Sequence, residues 1–588
     1  MGAEPRPSAG NAGNPNVFYS SLRAFLRDLP GVQQRFWVLV VLTGVAAGLG
    51  AVLLDLLLEA VEALAWPDGA TFLERIEAAG WGQRVGVLVG AGLLVTIVAL
   101  LLRQPLGGHG TSGIIQAIWV EDGTYSLRRA LLRGLVIIGV VGMGAPLGRE
   151  GALISSGAGS GSWLGRRFGL EPNQVRILVG CGAGAGIAAA YNVPIGGALF
   201  GLEVILGSFA LELFGPIVVS CVTATIVSRV LLASEPAYAI PYYRIGEPLE
   251  IASFVLIAPL LGVAAAIYIR GIEAFANLPA RFPERLRPLL PPLALGLTGV
   301  GAIWLPELLG NGYDPVNLAL LGQMPLWLML LLPFAKLLAS ALCAGAGVPG
   351  GLFTPSLFFG ALLGGALGTA VQAVWPGAAP PGAYALIGMA AVLAGTTHAA
   401  ISAVLITFEM TRDYGVILPV LLACAIATAV SRFLEPHSLY TGVLHRRGVP
   451  LPEQARPRWL RQQPVAPLVE AQAPQVGPSA RFVEVMQQLL ALPAGWDLYV
   501  VDAEGRFLGA IVLEQLKGHL PDSANLDVVI AADLADPAVP RLTGEETVAA
   551  AAARFVPTHL NRLPVVDPGS GRLLGTVARG DVLRQGVF

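Results

Sequence analysis

The chain has 588 residues, 54% of them hydrophobic and only 13% charged, where a soluble domain carries about 25% charged residues. Together with a mean hydropathy of +0.67, this excludes a soluble globular protein and indicates a polytopic membrane protein in contact with a lipid bilayer. A net charge of −2 offers no basic surface, so no nucleic-acid partner is expected.

In chain order, residues 1–16 are polar and rich in Gly, Pro and Asn, without the basic start and apolar core of a signal peptide. Arg23, Arg27 and Arg35 precede the first apolar span, Phe36 to about Leu64. That excess of positive charge assigns residues 1–35 to the cytoplasmic side. Further apolar stretches lie at about 84–102, 130–146, 175–190, 195–213 and 215–233. A connector at roughly 234–250 contains Pro236, Pro241 and Pro248. Then come stretches at about 251–270, 288–305, 325–343, 356–374, 383–396, 399–411 and 415–434. Several fall short of the ~20 residues a full span needs, and Gly or Pro interrupts many. Short, interrupted segments of this kind indicate half-helices that meet at a binding site near mid-membrane. The 73 glycines suit close helix packing in a bilayer. Cys181, Cys221, Cys343 and Cys424 stand singly in apolar segments with no CxxC spacing, and read as small core residues rather than metal ligands or disulfides.

After Tyr440 the composition changes. His445, Arg446 and Arg447, then Arg456, Arg458 and Arg461, form a basic run that reads as cytoplasmic. The Pro- and Gln-rich residues that follow make 446–478 a linker. Residues 479–588 have a soluble α/β pattern: a helix opening at Phe482, strands at Leu498–Asp502 and Phe507–Val512, then a helix at Glu546–Phe555 and strands at Arg562–Asp567 and Leu573–Val577. Two copies of one small unit are present.

The membrane part also repeats. Pro146-x-Gly148-x-Glu150-x-Ala152 matches Pro349-x-Gly351-x-Phe353-x-Pro355, and the same offset pairs Gly157 with Gly360, Gly161 with Gly364 and Gly165 with Gly368. Three residues further out of step, Gly182…Ile195…Leu199…Glu203 matches Gly388…Ile401…Leu405…Glu409. Two halves, about 36–235 and 250–440, therefore bring equivalent loops to one site. Inversion is the usual way for such loops to converge at mid-membrane.

Four places carry chemistry: Gly110-Thr111-Ser112-Gly113-Ile114, Gly148-Arg149-Glu150-Gly151-Ala152, Gly350-Gly351-Leu352-Phe353-Thr354-Pro355, and Tyr440. A carboxylate in a membrane segment is a functional candidate by default, and the glycines around Glu150 let helix-start N–H groups approach an anion. The hydroxyls of Ser112 and Tyr440 offer hydrogen-bond donors. The N–H groups of Leu352 and Phe353, opened by Gly351, add two donors and a positive dipole end. No full positive charge need touch the ion, which avoids binding too tight for conduction. The bland alternatives are a helix-capping Ser112, an interfacial Tyr440 and a structural Glu150–Arg149 ion pair.

These stretches resemble the signature loops of the CLC chloride channel and chloride/proton antiporter family. Further matches are Ala189-Ala190-Tyr191-Asn192-Val193-Pro194, Phe408-Glu409-Met410-Thr411 and Gly345-Ala346-Gly347-Val348-Pro349. The likeness covers about residues 36–445. It implies a mainly α fold of full and broken helices in two repeated halves, forming a homodimer in the plasma membrane with both termini cytoplasmic. It implies that Glu150 is the gating glutamate, whose ionised carboxylate competes with the anion for the same N–H donors and whose protonated form leaves. It further implies a chloride site built from Ser112, Tyr440, Leu352 and Phe353, with Gly351, Arg149 and Gly151 beside them, and no required cofactor.

The chain departs from the family pattern in places. Ala152 stands where proline is usual, which loosens the loop without removing the carboxylate. Val204 stands where antiporters carry their intracellular proton-transfer glutamate, and valine cannot carry a proton. Channel members of the family are also apolar there. This favours passive conduction, with a chloride/proton antiporter using another proton route as the alternative. Glu203 and Glu409 occupy equivalent places and read as structural groups that cap neighbouring helix ends, with a proton relay as the other reading. Ser112 with Tyr440 points to chloride over nitrate or fluoride, although Ile115 and Gln116 depart from the usual proline and glutamate. Lys336 lies in an apolar span and either raises anion concentration in an inner vestibule or snorkels. His109 and His398 stand near the signature segments without metal-ligand company.

The two C-terminal units resemble a CBS-domain pair. Gly575-Thr576-Val577-Ala578-Arg579-Gly580-Asp581 is similar to the loop in which Thr/Ser and Asp hold an adenosine ribose, so Thr576 and Asp581 are the candidate adenine-nucleotide residues. The first unit has Gln515 where the acid should be. A purely structural pair stands beside the sensor reading. No HExxH, G-x-S-x-G or P-loop occurs, so a membrane hydrolase, a metalloenzyme and a nucleotide-driven pump are all excluded.

Overall fold

The computed structural model describes residues 32–107, 110–232, 238, 240–241, 243, 248–412, 415–449, 464–493, 496–512, 528–555, 558 and 560–586. Arg23, Arg27, His109, Pro236, Arg456, Arg458, Arg461 and Gln515 lie outside the described residues. Two units are formed, Met1–Leu451 and Pro452–Phe588.

The first unit is helical. Its helices are α1 (Val32–Ala65), α2 (Phe72–Ala78), α3 (Trp81–Leu102), α4 (Gly110–Val120), α5 (Leu127–Gly142) and α6 (Glu150–Arg167). They continue as α7 (Pro172–Tyr191), α8 (Pro194–Phe200), α9 (Leu211–Leu232), α10 (Pro248–Phe275), α11 (Leu290–Gly301) and α12 (Tyr313–Leu320). The last are α13 (Leu326–Gly345), α14 (Phe353–Val374), α15 (Pro381–Thr397), α16 (Ala400–Thr411), α17 (Ile417–Leu434) and α18 (Thr441–Arg446). Among the described residues, eight helices are long and apolar enough to cross a membrane, so the protein is a multi-pass membrane protein.

Most apolar stretches become helices close to the expected bounds. Two differ. The stretch 195–213 is broken: α8 runs into a π-helical turn, Gly201–Leu206, which ends at Gly207 with φ 61°. The Gly- and Ser-rich residues 150–167, too polar to stand out as a span, form α6, which is buried along most of its length. Its small side chains exist for contact. A Cβ on Gly157 would collide with the carbonyl of Gly182 in α7, and one on Gly182 with the carbonyl of Gly157. The other half repeats this between Gly360 of α14 and Gly388 of α15. Equivalent glycines also seat α1 on α9 and α10 on α17: a Cβ on Gly48 would lie 2.8 Å from Ala224 O, and one on Gly262 2.8 Å from Ala427 O.

The repeat is therefore structural. Gly148 and Gly351, matched in the sequence, form an antiparallel bridge with reciprocal N–H···O bonds of 2.8 and 2.7 Å. Equivalent segments thus meet running in opposite directions, as inverted halves require. The αL residues that end α7 and α15, Asn192 (φ 60°) and His398 (φ 57°), are equivalent too.

In the second unit, β1 (Gln475–Val476) pairs parallel with β2 (Leu498–Val501), which pairs antiparallel with β3 (Phe507–Ile511). Helix α19 (Phe482–Ala491) lies between β1 and β2 in the chain. The second copy repeats this order. Leu542 forms a parallel bridge with Val565, and β4 (Arg562–Val566) pairs antiparallel with β5 (Leu573–Ala578). Helix α20 (Ala531–Leu534) packs with the first copy, and the helices of the second are α21 (Val548–Phe555) and α22 (Arg579–Gly586). The expected linker boundary is corrected here. Residues 464–478 belong to the packed unit: Val465 N–H donates to Glu546 O at 2.8 Å, and Glu470 bridges Thr576. Backbone pairing, which a Pro- and Gln-rich composition hides, decides it.

Overpacking a tight contact costs about 1–3 kcal/mol. Gly388→Ala is expected to lower the thermal unfolding midpoint of the detergent-purified protein by several degrees. Gly82→Ala, at a position with open space around it, should leave it unchanged or raise it. Equal effects at the two sites would show that the glycine contact between α14 and α15 is not the constraint.

Candidate functional site

The bridge between Gly148 and Gly351 places the starts of α6 and α14 side by side. Glu150, the first residue of α6, is 1% exposed. Its Oε1 accepts a hydrogen bond from the Tyr191 hydroxyl at 2.6 Å and another from the Thr354 hydroxyl. Tyr191 and Thr354 hydroxyls are themselves 2.8 Å apart. The side chain folds back over the bridge. A Cβ at Gly148 would overlap Glu150 Oε2, and one at Gly351 would lie 2.8 Å from it. Glycine at both positions is thus a condition for this carboxylate position. The bonds to Glu150 come from two hydroxyls and not from the free N–H groups the sequence suggested.

Arg149 does not pair with Glu150. Its Nη1 binds Asp55 Oδ1 of α1, and its backbone N–H donates to Asn311 Oδ1 at 3.3 Å. The Glu150–Arg149 ion pair is therefore corrected: α1 takes the guanidinium. Arg149 also lies outside the cavity next to Glu150.

That cavity is small and is lined by Thr111, Glu150, Gly151, Leu352, Phe353 and Tyr440, with glycines of the same loops including Gly351. The three glycine-rich stretches and the late tyrosine do converge. Ser112 is not among the lining residues; its hydroxyl donates to the Tyr440 backbone carbonyl at 2.8 Å. Its neighbour Thr111 faces the cavity instead. One helix position decides this, and in a short helix such as α4 the sequence does not fix the phase. A run of rings connects the parts: Tyr440 meets Phe200 at 6.5 Å, Phe200 meets Phe353 at 6.0 Å, and Phe353 meets Tyr191 at 5.5 Å. Tyr191, Thr354 and Asp55 are the site residues that sequence reasoning missed. The first two lie inside matched segments, and a hydroxyl residue next to a glycine-opened helix end was the available signal.

Family comparison bears on this arrangement. The model described as "Voltage gated chloride channel" matches residues 90–432, and a CBS domain model matches residues 531–587. This chain belongs to the CLC chloride channel family. A chloride channel protein described as ClcB-like from Ralstonia nicotianae is 38% identical over 395 residues, 65% of this chain and 90% of that one. The voltage-gated ClC-type chloride channel ClcB of Escherichia coli is 33% identical over 343 residues, 56% of this chain and 79% of that one. Among solved structures, a slow cyanobacterial Cl−/H+ antiporter superposes with a TM-score of 0.64 at 23% identity, covering 70% of this chain and 97% of that one. A eukaryotic CLC transporter gives 0.60 at 22% identity, covering 95% and 98%. Those two likenesses establish the fold. The protein is a CLC-type chloride transport protein and not an enzyme.

A second cavity of this CLC protein, about 750 Å³, is lined by Arg103, Arg287, Arg446 and Arg447 among apolar side chains, and shares Gly350 with the first. Lys336, expected at a vestibule or snorkelling, does neither. It is 1% exposed, its Nζ donates to the carbonyls of Leu308, Leu309 and Gly310 at 2.8, 3.3 and 2.7 Å, and it lies 5.1 Å from the Phe358 ring centre. All three of its hydrogens are used to pin the loop before α12.

Val204 lies half-buried in the π-helical turn after α8. Beside it, Glu203 accepts from Ile401 N–H at 3.4 Å and from Ser402 N–H and hydroxyl at 2.8 and 2.6 Å, at the start of α16. Glu409 does the same for α8, accepting from Ile195 and Gly196 N–H at 3.0 and 2.7 Å. Each half caps the other half's short helix, the geometry of the structural reading.

In the CBS pair, Thr576 is fully buried and its hydroxyl accepts from Arg562 Nε at 3.1 Å. The adjacent Val577 packs in the core of the unit, so Thr576 lies on the other face of β5, with Arg562. Asp581 sits partly buried in the first turn of α22. Arg562 stacks 3.8 Å from the Trp496 ring centre and pairs with Glu470. Burial pushes the neighbouring Asp497 carboxyl up to about 6, against the pull of Arg562. Unfolded aspartate titrates at about 3.9, so the folded unit holds this proton more tightly. Stability is then highest below about pH 4, falls as the pH rises towards 6, and stays lowered above it. Asp497→Asn removes that loss. Amide protection of β2 in the full-length variant should exceed wild type at pH 7.5 and equal it near pH 4; reduced protection at both would refute the assignment.

Proposed function

We propose that this CLC protein conducts chloride passively through a pathway gated by Glu150. Val204 carries the reading: no proton can be held at the position where antiporters place their inner glutamate, and the neighbouring Glu203 has both oxygens committed to the start of α16. The anion sits against Leu352, Phe353, Gly151 and Gly351, with the Tyr440 phenol and, replacing Ser112, the Thr111 hydroxyl. The ionised Glu150, held by Tyr191 and Thr354, closes that space; protonation weakens both charge-assisted bonds and releases it. The arginine-lined cavity that meets the site at Gly350 supplies the inner approach and concentrates anions there. Family resemblance supports a homodimer in the plasma membrane with cytoplasmic termini, and an adenine nucleotide bound by the CBS pair through Asp581.

The test is thermodynamic. Purified protein in vesicles is given a chloride gradient, and proton movement is followed with a pH dye. Passive conduction leaves protons at equilibrium; reproducible uphill proton movement would establish the antiporter instead. Glu150→Gln should conduct faster than wild type and lose its pH response, whereas an unchanged response removes Glu150 from the gate.

The hydroxyl bonds give a further expectation. A hydrogen bond to a charged group is worth about 1.5–3 kcal/mol, so Tyr191→Phe should free the carboxylate roughly tenfold more often. Chloride flux at neutral pH should rise correspondingly in vesicle assays. A variant slower than wild type would mean that Tyr191 serves the anion and not the gate.

A further inference from the structure

The arginine-lined cavity is larger and more apolar than an ion entrance needs. Its volume, about 750 Å³, lies within the roughly 300–1,000 Å³ typical of organic-ligand sites. Val95, Ala99 and Leu100 of α3, Ile272 of α10, Pro291 of α11 and Val348 form its walls. A hydrated halide gains nothing from such walls, whereas a hydrocarbon chain does. The walls also lead outward. Leu100 is 61% exposed and shares one face of α3 with the exposed Ile97 and Leu93, at the i, i+4, i+7 spacing. Leu289, Leu293 and Leu297 make a second exposed row, before and along α11. The two segments are locked together by the Thr96 hydroxyl, which donates to Pro288 O at 2.7 Å, and by Gly92, where a Cβ would strike Pro292. Exposed apolar rows on membrane helices face lipid, and this cavity lies at their arginine end.

The four arginines are not equivalent. Arg446 is paired with Glu273. Arg287 directs Nε at the carbonyls of Pro279 and Phe282, 3.1 and 3.3 Å away, and its contact with Glu284 at 3.5 Å is exposed and weak. Arg103 and Arg447 have no acid and no side-chain hydrogen-bond partner among the described residues, and Arg447 feels the like charge of Arg133 on α5. Two unbalanced guanidiniums beside apolar walls suit an anion that carries its own hydrocarbon. The neighbouring loop marks the level of the bilayer surface. Phe282, Leu286 and Leu289 are exposed there among Arg281, Arg285 and Arg287, the mixture of an interfacial segment. Basic pockets between membrane helices on the inner side hold acidic lipid headgroups, and a phosphate matches the fork of a guanidinium.

We propose that this cavity holds an acidic phospholipid of the surrounding bilayer, its phosphate on Arg103 and Arg447 and one acyl chain against the α3 wall. The second chain stays outside, along the exposed rows of α3 and α11. The cavity shares Gly350 with the one at Glu150, so the lipid competes with chloride for the arginines and narrows the entrance. That consequence rests on the cavity being the inner approach; the lipid site itself does not.

Two measurements test this. The full-length protein is crystallised with phosphatidylglycerol brominated on its acyl chains and read by anomalous scattering. Bromine beside Val95, Ala99 and Leu100 is expected; a cavity without bromine overturns the site. Native mass spectrometry then follows retention of phosphatidylglycerol. Arg103→Gln with Arg447→Gln should lower it roughly thirtyfold, the effect of two arginines at an anionic surface. Ala99→Phe, which fills the wall and keeps every charge, should release the lipid too. Unchanged retention in both variants overturns the proposal, and displacement by equimolar oleate assigns the cavity to a single-chain carboxylate instead. Where a variant fails to assemble, the bromine result on wild type decides. Chloride flux is compared in vesicles of phosphatidylcholine with and without phosphatidylglycerol. Wild-type flux should fall severalfold with the acidic lipid, and the double arginine variant should not respond. An equal fall in both proteins is surface charge alone and overturns the competition. Bound bromine with unchanged flux strikes the inner approach and upholds the lipid site.

Discussion

The antiparallel bridge between Gly148 and Gly351 is the contact on which the remaining geometry depends. Two reciprocal N–H···O bonds fix the register of two chain segments that belong to different halves. Because each glycine stands two residues before the first residue of a helix, the bridge brings two positive helix ends together in the membrane interior. It also removes the side chains that would otherwise fill the space where the Glu150 carboxylate lies. A Cβ at either position would meet that carboxylate. One pairing thus sets two helix starts side by side and leaves room for the Glu150 carboxylate over them.

The second level of organisation is exchange between the halves. Glu203 and Glu409 each cap a helix in the opposite repeat, and equivalent glycines close α6 on α7 and α14 on α15. Neither half has a complete set of bonds alone. In hydrocarbon an unsatisfied N–H is costly, so the short helices α8 and α16 depend on the partner half for their first turns. The breaks that admit an ion are stable because their free ends are answered across the repeat.

Much of this was legible in the residues. Composition and the apolar stretches gave the membrane class, matched Pro-x-Gly-x-x-x segments gave the two halves, and Glu150, Leu352, Phe353 and Tyr440 do meet at one cavity. Helix phase was not legible: Ser112 and Thr111 are adjacent, and only packing chose which of them faces the cavity. Partners distant in sequence were equally hidden. Arg149 looked free to pair with Glu150, but Asp55, nearly a hundred residues earlier, takes it. Lys336 looked like a vestibule charge because carbonyl groups carry no sequence signal, and three of them hold it.

The pairing of Arg149 with Asp55 changes what holds Glu150. Had Arg149 bonded Glu150, the carboxylate would be held ionised by a full charge, and releasing it would require breaking a buried ion pair, among the more destabilising changes a protein core can undergo. Two hydroxyls hold it instead. A hydroxyl can donate to a carboxylate and accept from a carboxylic acid, so Tyr191 and Thr354 can bond either protonation state without leaving a buried charge exposed. The guanidinium is paired with Asp55 of α1. With the guanidinium held by α1, the proposed release of Glu150 breaks two hydroxyl bonds and no buried ion pair.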